Sequence, residues 1–322
     1  MEIEIKLNSN LDKKWNELIF DKNQHSIFLS QKFLSYHKDT RFDNFNIFVF
    51  VDKKLFLIIP AVKDKDELFS HSGSTYGGIL QFFVLDEKEY NKIYSDLKKF
   101  LIDNDIISIT FRLSPKVFNE NTEYSFFDSI SDKEYLFEEE ETYVPIEEID
   151  LLDLNKTGFR RNHIRDIKKI IEIENKFDIR RANNGVDLDN YYKILIANLK
   201  KHEAKPTHTK EELRLLMEIF ENEIWIDVLT YKEKIVSGLV CFKMNSEILH
   251  YFYGSVDYNF KHKGIIKYIY WKSMVKAKNN NFKKVNFGVD SKHGEVPNDT
   301  LRLFKLGFRG VHTSRKTIRL KW

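Results

Sequence analysis

Several groups of polar residues have the types and spacing that chemistry needs. Lys261, His262, Lys263 and Gly264 stand just before an apolar-periodic run, Ile265 to Ala277, that reads as a helix. A basic loop with a glycine at a helix N-terminus is a place to hold a phosphate. Backbone N–H groups there lack intrahelical acceptors, and the helix dipole favours an anion. Arg160, Arg161, Arg165, Lys168 and Lys169 form a second basic segment, and at helical spacing 161, 165 and 168/169 share a face. That face suits a diphosphate or a nucleic-acid backbone; a solvated basic face is the plain alternative. Acids at 166, 172 and 174 dilute it, which disfavours a broad nucleic-acid surface more than a single phosphate pocket.

The candidate proton acceptors are His250, Tyr253, Asp290 and His293. Asp290 follows Asn286-Phe287-Gly288, a strand end where loops of α/β folds gather chemistry. His250 lies on an alternating strand, where a packed histidine is the first reading and a base the second. His202 and His208 flank Pro206 between two helical patterns. Zinc would want more ligands than these two, so they are expected to face substrate or to be structural, and no metal is expected. Lys305 ends a short helix from Asp299, where a cation suits the carbonyl end. Arg302 and Arg309 beside it offer phosphate contacts or simple exposure. Cys241, the single cysteine, lies in an apolar run and reads as a buried strand residue, which excludes an internal disulfide framework and fits a reducing compartment.

The elements that must position these groups come in two similar sets. The first has a strand (Ile3 to Leu7), helices (Leu11 to Phe20, Ser30 to His37) and a hairpin turning at Asp52-Lys53-Lys54. A third strand near Leu68 then leads to Tyr76-Gly77-Gly78, followed by a helix (Asp86 to Leu101) and a strand (Ile106 to Leu113). After an acidic stretch, Asp132 to Glu141, the second set opens with a basic helix, Leu154 to Glu174, and a strand, Phe177 to Ala182. Helices follow at Leu188 to His202 and Lys210 to Glu221, then a hairpin turning at Lys232-Glu233-Lys234 and a third strand reaching Tyr253-Gly254. Helices, hairpin, third strand, helix, strand, twice over, predicts a duplicated α/β unit, mixed α+β in layout, divided into residues 1–147 and 148–322.

With 322 residues, 42% apolar, the chain has ample material for two cores. The 52 bases against 49 acids exclude a broadly polycationic protein, so any anionic partner must meet a local patch. The N-terminus has no basic n-region or apolar h-region, and the most apolar run, Leu55 to Val62, is too short to span a bilayer. A cytoplasmic protein is expected.

The second set resembles the Fem-type peptidoglycan aminoacyltransferases and the BioF2-like acetyltransferases, built on the GNAT acyltransferase fold. The likeness lies in Arg160 to Lys169, in Lys201-His202 through Thr207-His208-Thr209, in Ile248 to Gly254 with Trp271 and Ala277, and in Asn286-Phe287-Gly288 with Leu303 to Phe308. Tyr76-Gly77-Gly78 extends it more weakly into the first set. The basic loop at 261–264 lacks the second glycine of acetyl-CoA-binding relatives, and the long helical arm of the staphylococcal type is missing. The resemblance implies tandem GNAT-like domains, each a twisted, mostly antiparallel sheet flanked by helices, the first degenerate.

It further implies Lys305, preceded by Phe304, beside the transferred acyl group, with Asp290 and His250 as further catalytic candidates. Arg160, Arg161, Arg165, Tyr76, His202, His208, Tyr253, Lys261, Lys263 and Gly264 are the binding candidates. The implied donors are acyl-CoA (acetyl-CoA) or aminoacyl-tRNA. The implied acceptor is an amine of a nucleotide-linked or lipid-linked glycan precursor or of a peptidoglycan stem peptide, with peripheral membrane association and tRNA contact left open. The rival reading is a catalytically inactive GNAT-like module that binds a glycan precursor or a partner protein.

Overall fold

The computed structural model describes residues 1–7, 12–20, 26–37, 41–118, 123–201, 203–262, 264–290 and 298–322. They form two compact units, one of Met1–Glu140 with Thr313–Trp322, the other of Glu141–Asp290 with 298–312. The division expected at 147/148 thus falls at Glu140/Glu141, and the last ten residues return to the first unit. No helix among the described residues is long and apolar enough to cross a membrane.

The first unit runs β1 (Ile3–Leu7), α1 (Asp12–Phe20), α2 (Gln31–Leu34), β2 (Asp43–Asn44), β3 (Ile47–Val51), β4 (Lys54–Ile59), β5 (Val62–Asp64), β6 (Glu67–Ser70), β7 (Leu80–Gln81), α3 (Glu87–Ile102), β8 (Ser108–Arg112), α4 (Glu123–Asp128) and most of β9 (Lys133–Val144). The second runs through the end of β9, α5 (Arg161–Ile171), β10 (Phe177–Arg181), α6 (Val186–Lys200), α7 (Lys210–Ile219), β11 (Ile224–Tyr231), β12 (Lys234–Lys243), β13 (Ile248–Val256), α8 (Ile265–Asn279), β14 (Lys284–Val289) and α9 (Asp299–Leu306). The terminal strand, β15 (Val311–Lys321), pairs antiparallel with β8 of the first unit.

The duplication is visible in detail. Both hairpins, β3–β4 and β11–β12, close on two successive left-handed residues, Asp52-Lys53 and Lys232-Glu233, as a two-residue turn between right-twisted strands requires. Each carries a register shift at the same distance from its turn, at Val49/Phe50 and at Leu229/Thr230. In each unit the third strand crosses over through an apolar-faced helix to a parallel partner: β6 to β8 through α3, β13 to β14 through α8. The pairs β3–β4, β11–β12, β12–β13, β9–β14 and β8–β15 are antiparallel. Each unit is completed by the strand that follows the other's repeat, β15 beside β8 and the end of β9 beside β14.

In the first unit the gap beyond the short parallel pair is filled by its own chain. β6 and β8 pair from Glu67↔Ser108 to Ser70↔Phe111. Gly77 then enters, its N–H donating to Arg112 O (2.6 Å), while Gly78 uses its N–H and carbonyl on Ser70 Oγ. A Cβ on Gly77 would lie 1.3 Å from Ser70 O, so only glycine passes. Tyr76 beside it is a core residue, 1% exposed and edge-on to Phe28 at 5.7 Å. The substrate contact expected of Tyr76 is therefore corrected: its ring packs the first unit.

Two further expectations change. The basic helix expected from Leu154 begins at Arg161, because Gly158 is left-handed (φ +73°) and Thr157 Oγ1 takes the turn's hydrogen bonds from Phe159 N–H and to Leu154 O. β9 and β15 had no expected strand; both are polar along much of their length.

Candidate functional site

The second unit holds a strand pair that opens. β13 and β14 are in register only over Ile248–His250 against Lys284–Asn286, yet β13 continues to Val256 and β14 to Val289. Gly288 is left-handed (φ +70°), and its N–H folds back on Asn286 Oδ1 at 2.8 Å, which turns β14 just past the last pair. On β13's other edge the register with β12 shifts between Val240 and Cys241, adding Phe252 as a bulge at the same level. Among the described residues no strand pairs with β13 beyond His250 on the β14 side. The result is a wedge whose wall is backbone amide, a surface that can pair with an extended ligand or donate to a carbonyl oxygen.

Around the wedge the structure gathers His208, Tyr253 and His250, distant in sequence, through one aromatic ring. Phe252 stands 5.0 Å from the His208 ring and 5.5 Å from that of His250, edge-on to both. His250 is buried, and its Cε1 lies where a Cβ on Gly288 would come within 3.1 Å. Tyr253 Oη accepts the Thr207 N–H at 2.8 Å and lies 3.3 Å from His208 Nδ1, with Thr207 Oγ1 also in hydrogen-bond contact. Burial pushes the Tyr253 phenol above its ordinary range, although the Thr207 hydrogen bonds oppose this. It keeps its proton at neutral pH, so its hydroxyl is able to donate one.

Behind Gly288 lies a buried charge network. Lys305 is 4% exposed; its ammonium donates to Gly288 O (2.9 Å) and Val289 O (2.7 Å) and forms an ion pair with Asp290 Oδ1 at 2.8 Å. Asp290 accepts Thr142 Oγ1 on its other oxygen at 2.7 Å. Burial lowers the Lys305 pKa, with Asp290 and the nearby Glu141 carboxylate opposing. Glu141, fully buried, accepts from Asn286 Nδ2 at 3.1 Å. An open cation beside an acyl carbonyl was expected; instead the ammonium's three contacts are all internal, so Lys305 and Asp290 brace the kinked end of β14. Desolvation of a charge pair explains the arrangement, since each ion needs the other once water is gone.

Phe304 lies half-buried among Tyr270 (5.5 Å), Phe308 (5.3 Å) and His163 (5.7 Å). His163 was missed in sequence, although His163, Ile167 and Ile170 recur at the spacing of a buried helix face. Its Nε2 donates to Phe304 O at 2.9 Å, Arg160 N–H donates to Gly307 O at 2.9 Å, and the ring occupies the space of a Cβ on Gly307. Together these pin α9, and with it Lys305, to the start of α5.

Burial, aided by Lys267, holds the His163 pKa down at about 4 against an ordinary 6.5. The unfolded chain takes up this proton near 6.5 and the folded one only near 4. His163 thus contributes stability above that upper value that is lost as pH falls between the two. The loss is about 2 kcal/mol once solvent screening is allowed for. Urea unfolding of the wild type and His163→Gln between pH 7.5 and 4.5 should show a flatter profile in the variant; parallel profiles would refute this.

The basic segment stays at the surface. Arg160, Arg161 and Arg165 are exposed, and Arg165 shares Asp166 with Lys267, at 3.1 and 2.7 Å. Gly264 is buried where its Cβ would meet Asp166 O at 2.4 Å, so this glycine lets α8 approach α5. The phosphate cradle expected of Gly264 is corrected to helix packing; Lys261 next to it is exposed. His202, Lys263 and His293 lie outside the described residues. Among the described residues no cluster of three or more His, Cys, Asp or Glu is placed to hold a metal ion.

The wedge, between parallel strands joined by a crossover helix, lies in the part of the chain that resembles a known domain family. Residues 158–294 match the acetyltransferase (GNAT) domain family. FemX has the same fold over the whole chain: TM-score 0.72 at 10% identity, covering 100% of this chain and 98% of that one. L-PGS from Bacillus licheniformis gives 0.59 at 13% identity, covering 96% and 91%. A tandem GNAT protein from the clavulanic acid biosynthesis pathway gives 0.56 at 7% identity, covering 99% and 98%. No curated protein matches. Residues 158–294 are thus similar to the GNAT acetyltransferase family, and the chain as a whole has the duplicated mixed α/β fold that it shares with FemX and the tandem GNAT protein.

Proposed function

We propose that the chain moves an acetyl, other acyl or aminoacyl group from an activated donor to an amine of a cell-envelope precursor, an amino sugar or a peptidoglycan stem peptide. The divergence of β13 from β14 carries this reading. An extended acyl-pantetheine arm can pair with the open edge of β13 as an added strand, and backbone N–H groups there can meet the oxyanion that forms on the acyl carbonyl. The neutral amine attacks that carbonyl; the C–N bond forms, the C–S bond breaks, and Tyr253 protonates the departing thiolate. The amine's surplus proton passes through water back to Tyr253, which restores the phenol. Lys305, Asp290 and His163 serve as positioning residues that hold the wedge open. Acyl-CoA is the donor favoured by the wedge. Aminoacyl-tRNA is favoured by the exposed basic residues on α5, and its leaving ribose hydroxyl would take the same proton. The cell-envelope acceptor follows from the Fem-type resemblance.

The experiment is a transfer assay with labelled acetyl-CoA and with aminoacyl-tRNA, each against UDP-amino sugars and stem peptides. Tyr253→Phe is expected to lower kcat about a hundredfold or more while leaving donor affinity unchanged. If neither donor binds or reacts, the rival reading of an inactive binding module takes its place.

A further inference from the structure

The first unit holds a guanidinium, that of Arg112, whose buried Nε meets no acceptor among the described residues. β8 turns Ile109 and Phe111 into the core, so Thr110 and Arg112 share the opposite face. On the antiparallel β15, Thr317 stands directly opposite Arg112, and Arg319 opposite Thr110. Arg315, Thr317 and Arg319 alternate along that same face, so Arg112 has a hydroxyl across from it and an arginine on each diagonal.

The charges are not balanced in kind. Arg315 is satisfied: it meets Glu139 at 2.7 Å through two nitrogens and Thr75 O at 3.1 Å. Arg319 gives one long hydrogen bond to Thr110 Oγ1, 3.4 Å. Arg112 differs: its Nε is buried and, among the described residues, has no hydrogen-bond partner. Burial lowers its pKa, Arg315 adds to the effect, and Glu139 only partly opposes. Opposite it, Thr317 is 3% exposed and its hydroxyl likewise lacks a hydrogen bond.

A cation and a hydroxyl withdrawn from water and left unpaired cost free energy, which a ligand repays by pairing with them. A planar guanidinium with vacant donors takes two oxygens of an oxyanion side by side. The hydroxyl and the second guanidinium add donors outside that plane, which a tetrahedral group can meet and a flat carboxylate cannot. We propose that Arg112, Thr317 and Arg319 form a phosphate-binding subsite on the first unit.

Calorimetric titration of the full chain with inorganic pyrophosphate at fixed ionic strength tests this, with acetate as the carboxylate control. Saturable pyrophosphate binding is expected, with a rise in Tm. Arg112→Gln should weaken binding at least about tenfold. Its ligand-free Tm should be unchanged or higher, because an uncompensated charge has been removed. Thr317→Val should weaken binding as well. Absence of saturable binding, equal binding by Arg112→Gln, or acetate binding as tightly as pyrophosphate would each overturn the assignment. So would a fall in the ligand-free Tm of Arg112→Gln, which would make Arg112 a structural residue.

Discussion

Asp290→Asn is expected to destabilise the chain by about 3–5 kcal/mol, because it strands the Lys305 ammonium in a place without water. Two backbone carbonyls would remain on the ammonium, but no charge would compensate it. Lys305→Met should also destabilise, since it leaves the Asp290 carboxylate with Thr142 alone. The double variant should recover most of the loss, as replacing both members of a buried pair is far milder than removing one. Urea unfolding of the four proteins closes the cycle. A single-variant cost below about 1 kcal/mol would show that the pair is not what holds the end of β14.

The same cycle separates two roles for Lys305. As a positioning residue it acts through Gly288 and Val289, so the double variant should keep transfer activity within about tenfold of wild type, a difference of about 1.4 kcal/mol in barrier. If the ammonium met the acyl carbonyl itself, stability would return in the double variant and activity would not.

Gly77→Ala should abolish the fold of the first unit. Its Cβ would lie 1.3 Å from Ser70 O and 2.1 Å from Ser70 C, backbone atoms that cannot swing aside as a flexible side chain can. Relief requires withdrawing the segment that closes the gap between β6 and β8, with loss of the hydrogen bonds to Arg112 and Ser70. A cost above about 4 kcal/mol is expected, enough to leave little folded protein. Circular dichroism and expression of soluble chain read the outcome; a variant melting within a few degrees of wild type would contradict it. The same plug implies that the first repeat offers no wedge of its own, so donor titration should saturate at one equivalent per chain.

Local chemistry was readable without coordinates. The hairpin turns at Asp52-Lys53 and Lys232-Glu233, the helices opening near Asp86 and Lys210, and the apolar crossover helix at Ile265 announce themselves because neighbours within a few residues decide them. From their order the duplication and mixed α/β layout followed, and the family likeness supplied the GNAT fold. The strands β9 and β15 were hidden. Their pairing partners lie far along the chain, and their polar side chains show no simple alternation until the partner strand is known. The start of α5 was misplaced because one left-handed glycine outweighs seven residues of helical pattern.

At the candidate site the division is sharper. Residue types singled out Asp290, His250, Tyr253 and His208, and the family resemblance added Lys305. Type did not reveal that Lys305 and Asp290 spend their charges on each other, or that Gly264 and Gly77 are spacers between close backbones. Nor did it show that Arg112 and Thr317 face each other unpaired. Burial and register decide such things, and both arise only when distant segments meet: water leaves, the dielectric falls, and each charge must find an opposite or stay exposed.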